Sequence, residues 1–126
     1  KGSHKELVTC LASGPKELAQ ICKELGKSQG GLYSQYLDEL VKAGFVRRDF
    51  TWDLKSGKYG KLSRYRLSDN YLRFYLKYIG PSRVKIEQGK VPESMLNNLP
   101  SWEVVMGLQF ENLVTHNYKT LWEMLG

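Results

Sequence analysis

The chain has 126 residues, with 19 lysines and arginines against 13 aspartates and glutamates, a formal net charge of +6. At 41% hydrophobic and 25% charged it has the composition of a soluble globular protein, one modest domain or a small domain with part of another. No apolar run reaches the length of a membrane span and no secretory signal pattern opens the chain, so a cytoplasmic protein with no membrane partner is expected.

The charge is unevenly spread. Residues 1–44 are nearly balanced, whereas residues 45–67 hold seven bases against two acids. Residues 91–126 are acidic, with Lys119 facing Glu93, Glu103, Glu111 and Glu123. A basic middle and an acidic end are not expected to share one role.

In chain order, residues 3–12 read as a short helix with Leu7, Val8 and Leu11 inward. Gly14-Pro15 breaks it and sets proline at the first position of a second helix, 15–25. Leu18, Ile21, Cys22 and Leu25 form its apolar stripe, and Gly26 stops it. Ser28 is expected to cap a third helix running to about Ala43, with Leu32, Tyr33, Tyr36, Leu37 and Leu40 on its buried face. Cys10 and Cys22 fall on the stripes without metal-type spacing, and read as buried free thiols in a reducing compartment. His4 and His116 read as isolated histidines, with no clustered ligands around either.

Phe45 to Trp52 and Leu62 to Leu67 read as the two strands of a hairpin, joined by the turn-rich Lys55–Lys61. Next comes Asp69 as a cap, then an apolar helix ended by Gly80-Pro81. Its strongly polar residues Asn70, Arg73 and Lys77 lie on one line, expected to be its only wet edge. The rest of its surface calls for cover on several sides. Residues 80–100 read as a connector. Residues 101–125 form a last amphipathic helix whose apolar stripe needs cover from the rest of the chain or from a second copy, a homo-oligomer.

The order gives a fold class: mainly α with a small β-hairpin, a winged helix-turn-helix plus additional C-terminal helices. The expected divisions are a winged helix at 1–67, a joining helix and connector at 68–100, and an amphipathic helix at 101–126. Duplex DNA is the expected partner. Arg47, Arg48, Lys55, Lys58, Lys61 and Arg64 are candidates for phosphate contacts, against the alternative of a hairpin charged only for solubility. Lys27, Gln29, Ser34 and Gln35, around the start of the third helix, are the other DNA-binding candidates. Asp38 and Glu39 on the same helix oppose close approach to phosphates. A winged helix used for protein or interdomain contact is the alternative. No Gly-x-x-x-x-Gly-Lys-[Ser/Thr] loop is present, and no nucleophile, base and oxyanion site assemble, so this stretch is not expected to be an enzyme, nor to hold a metal or cofactor.

Leu32…Tyr36-Leu37…Leu40…Gly44-Phe45-Val46 and Tyr65-Arg66-Leu67-Ser68-Asp69…Leu72-Arg73-Phe74 resemble the winged-helix region following the ATPase core of archaeal-type AAA+ ATPases. Gly107-Leu108-Gln109-Phe110-Glu111 resembles the opening helix of the restriction-endonuclease-like domain of unknown function that follows it there. The resemblance implies an ATPase core before Lys1, using ATP and Mg, and most of a nuclease-like domain after Gly126. Both would be partners of this chain. It also implies a metal-dependent nuclease role for Glu111 in the intact protein.

Overall fold

Capping residues and glycines set the ends of the first helices. The computed structural model describes residues 2–126. Helix α1 is Gly2–Leu11, α2 is Leu18–Leu25 and α3 is Gly31–Lys42. Glu17, extended at φ −74° and ψ 156°, caps α2 in a reciprocal box with Gln20. Gly26 closes α2 in the left-handed region at φ 65°, where the Lys27 amide donates to the Cys22 carbonyl at 2.8 Å.

Two expected helix starts move. Pro15 does not begin α2. Residues around Lys16 run extended instead, and Lys16 exchanges backbone hydrogen bonds with Tyr65 at 3.0 and 2.8 Å. This isolated bridge ties the chain before α2 to the edge of β2 at one point. Gly30, not Ser28, occupies the cap position of α3.

Strand β1 (Val46–Asp53) pairs antiparallel with β2 (Lys58–Leu67), in register from Val46 opposite Leu67 to Asp53 opposite Lys58. The register shifts between Phe50 and Trp52. The second strand is longer than the sequence implies, so Lys58 and Lys61 stand on it and not in the turn. The turn itself is 54–57, with Asp53 accepting from the Lys55 amide and the Ser56 hydroxyl, both at 2.9 Å, and Gly57 at φ 64°.

Contacts divide the chain into two compact units, Lys1–Arg73 and Phe74–Gly126. The first is a winged helix-turn-helix. Leu7, Leu11, Ile21, Leu37, Val46, Tyr65 and Leu67 make its core, each at 2% exposure or less. Burying such a side chain contributes about 1.5–3 kcal/mol. Leu32 was expected in this core but is 54% exposed, because it precedes the inward line Tyr33, Leu37, Leu40 by one residue, about 100° of helix.

Arg73 departs furthest from its expected place. It sits on no wet edge but is fully buried. Its Nε donates to the Ala12 carbonyl at 3.2 Å and its Nη2 to the Leu67 carbonyl at 2.9 Å. The guanidinium thus joins the chain just after α1 to the end of β2. Helix α4 (Asn70–Phe74), capped by Asp69 through the Leu72 amide at 3.0 Å, delivers it. Tyr71 on the same helix is 71% exposed, so that side of it is open.

The second unit starts as a π-helical turn, Tyr75–Ile79, in which the Gly80 amide reaches the Tyr75 carbonyl at 2.7 Å. Short helices α5 (Arg83–Glu87) and α6 (Glu93–Asn97) follow, then the 24-residue α7 (Trp102–Leu125). Tyr78 donates to the Pro100 carbonyl at 2.9 Å and stands 6.1 Å from the Trp102 ring. Val105 and Asn112 are buried, whereas Phe110, Leu113, Tyr118 and Trp122 are more than half exposed. The apolar stripe of this helix is therefore open along most of its length.

Candidate nucleic-acid interface

Side chains alternate across a strand, so the register assigns the wing residues to two faces. One face carries Val46, Arg48, Phe50 and Trp52 opposite Leu67, Tyr65, Ser63 and Tyr59. The other carries Arg47 and Asp49 opposite Arg66 and Arg64, and Asp53 opposite Lys58. Six candidate bases, Arg47, Arg48, Lys55, Lys58, Lys61 and Arg64, are exposed. Arg66 is not among them: it is 5% exposed, and its Nε lies 3.0 Å from Asp49 Oδ2.

Arg48 is held in place. Its Nε donates to Ser63 Oγ at 2.8 Å, and its guanidinium stands 4.8 Å from the Phe50 ring and 5.3 Å from the Tyr65 ring. Burial pushes the Tyr65 hydroxyl up, with Arg48 lowering it, Asp38 raising it and the Ser34 hydroxyl lowering it. Ser34 and Asp38 of α3 are therefore turned toward the base of the wing. Ser34 is half-buried, whereas Gln35 is exposed, so of the two Gln35 is presented outward from the helix.

Glu39 is likewise engaged. His4 Nε2 lies 2.7 Å from Glu39 Oε2, and the His4 ring meets the Tyr36 ring at 4.8 Å, tilted by 49°. His4 is thus not isolated but links α1 to α3. Of the two acids expected to repel phosphates, Glu39 is thus engaged by His4, whereas Asp38 stands exposed. Lys27 and Gln29 are exposed in the turn before α3. A Cβ at Gly30 or Gly31 would meet no protein atom within 4 Å, which leaves open space before the helix N-terminus. Such an end presents free N–H groups and a partial positive charge.

Sequence reasoning missed three exposed apolar groups. Leu32 stands on the outward side of α3, and Phe50 and Tyr59 flank Trp52 on the wing. The i, i+2 spacing of Phe50 and Trp52 carried the signal for the wing pair. Among the described residues no cluster of three or more His, Cys, Asp or Glu could hold a metal ion. No helix of the described residues is long and apolar enough to cross a membrane.

Residues 4–48, from α1 to the start of β1, match the family described as "Bacterial regulatory protein, arsR family". The chain is also 33% identical over 89 residues to the "Uncharacterized protein MJECL04" of Methanocaldococcus jannaschii. The match covers 69% of this chain and 19% of that protein, so the chain spans about a fifth of the relative's length. No solved structure matches. Residues 4–48 are thus similar to the helix-turn-helix of that family, and the hairpin β1–β2 follows directly after the matched stretch.

Proposed function

We propose that this chain is a winged-helix module that binds duplex DNA, with the wing anchoring phosphates and the start of α3 set against a groove. The carrying observation is the exposed basic set of the hairpin beside a helix-turn-helix of arsR type. Arg47, Lys58 and Arg64 on one wing face, with Lys55 at the tip, neutralise phosphates. Lys27 and the α3 N-terminus hold the neighbouring backbone, Gln29 and Gln35 face the base edges, and Ser34 braces α3 against Tyr65. A regulator is the role that the name of the matched family supports.

The wider setting is a longer protein in which this module adjoins an AAA+ ATPase core and a nuclease-like domain. Its support is the resemblance of residues 32–46, 65–74 and 107–111, together with a relative several times the length of this match. ATP, Mg and the role of Glu111 belong to that setting.

Salt titration tests DNA binding. Each phosphate contact contributes about 0.9 to the slope of log K against log salt. Arg47→Ala/Lys58→Ala/Arg64→Ala is expected to flatten the slope by about 2–3 and to weaken binding equally across sequences. Undetectable duplex binding at low salt would overturn the reading.

A further inference from the structure

The two wing faces differ in chemistry. On one, Arg47, Arg64 and Lys58 stand beside Asp49 and Asp53, with no ring among them. On the other, the inner end is core, with Val46, Tyr65 and Leu67 at 1% exposure or less. Past that core the same face carries Phe50, Trp52 and Tyr59 at 45, 54 and 73% exposure. Trp52 and Tyr59 meet edge to face, their centroids 5.1 Å apart, while Arg48 lies over Phe50. Edge-to-face packing of Trp52 on Tyr59 stabilises the hairpin, and it still leaves each residue more than half exposed.

We propose that this face is a stacking platform for unpaired nucleotides, so that the wing sits at a junction between duplex and single strand. The proposal rests on the DNA-binding reading above and narrows its substrate. Bases inside a duplex stack on each other and offer only their edges to a protein. Along a duplex, away from its ends, an exposed ring can lie flat only on a base that has left the stack. Exposed aromatics interleaved with cations are what a single strand needs: π faces for its bases and charge for its backbone. The segment 45–67, with seven bases and two acids, suits a polyanion and not an acidic-face-avoiding apolar partner. Duplex phosphates are taken by the Arg47, Lys58 and Arg64 face, and the strand that departs is taken by the ring face with Arg48.

The test compares binding of a blunt duplex, the same duplex with a single-stranded overhang, and a free single strand, by fluorescence anisotropy of labelled oligonucleotides. The overhang duplex is expected to bind at least about tenfold more tightly than the blunt one, since each stacked base is worth on the order of tenfold or more. Trp52→Ala/Tyr59→Ala is expected to remove that preference and leave blunt-duplex affinity unchanged. Trp52→Phe/Tyr59→Phe, which keeps the π faces, is expected to retain most of it and controls for folding. Equal affinity for blunt and overhang duplexes overturns the platform while leaving the DNA-binding reading intact. So does an equal loss on both substrates in the alanine variant when the phenylalanine variant is also impaired. Absence of binding to every oligonucleotide at low salt overturns both, and turns the ring face into a protein contact.

Discussion

At the scale of single residues, Arg73 is the most consequential side chain of the winged helix. A buried guanidinium keeps its charge and needs every donor answered. Here it donates to two main-chain carbonyls, Ala12 just after α1 and Leu67 at the end of β2. Arg73→Met would strand both carbonyls, and a loss of about 3–5 kcal/mol in urea denaturation is expected. Arg73→Lys is expected to recover little, because an ammonium has no planar fork to span both acceptors. Cys10 shows a different influence of surroundings. Its thiol is pushed up to about 11, first by burial and then by donating to Glu24 at 3.1 Å. At pH 8 it should alkylate on the order of 100-fold more slowly than an ordinary thiol. The rate should climb as pH rises toward 11, where the thiolate forms, as iodoacetamide labelling followed by mass spectrometry would show.

At the scale of elements, the hairpin turn rests on Asp53. The Lys55 amide, and next the Ser56 hydroxyl, hold its carboxyl below the ordinary 3.8. A lowered carboxyl supports the folded turn fully above that ordinary value and loses this contribution as pH falls below it, through its own lowered pKa. The amides of Lys55 and Gly57 should therefore lose protection, relative to their intrinsic exchange rates, as pH falls below 3.8. Asp53→Ala should lower their protection at neutral pH and remove this pH dependence while leaving the core strands protected, as hydrogen exchange by NMR would report. Most elements of the first unit could be read from glycines, caps and periodicity, since these are local effects. The bridge at Lys16 could not, because its pairing with Tyr65 joins residues 49 positions apart. Pro15 has a fixed φ that suits both a helix start and an extended run, so only the partner decides.

At the scale of the whole molecule, charge and structure divide together. The basic surplus lies in 45–67, inside the unit that ends at Arg73, and the acidic stretch lies in the unit that begins at Phe74. A ligand that binds the folded state protects the unit it touches. Saturating duplex is expected to slow amide exchange in residues 26–67, and to leave the backbone of α7 unchanged. Protection of α7 with none in the wing would contradict the proposed division of labour.

The sequence by itself determined the order of elements, the place of the basic hairpin and the helix-turn-helix character. Each of these depends on neighbours along the chain: a cap, a glycine, a period of two or 3.6. Only the tertiary structure decided where the charges go. Arg73, Lys77 and Asn70 share a line on paper, but that line cannot say which way the helix is turned. The structure turns Arg73 inward, where the main-chain carbonyls of Ala12 and Leu67 accept from it. It likewise engages Arg66 with Asp49 and Glu39 with His4, and sorts the remaining wing residues into a ring face and a basic face. Burial and ion pairing are set by distances between residues far apart in the chain, which composition and spacing do not contain.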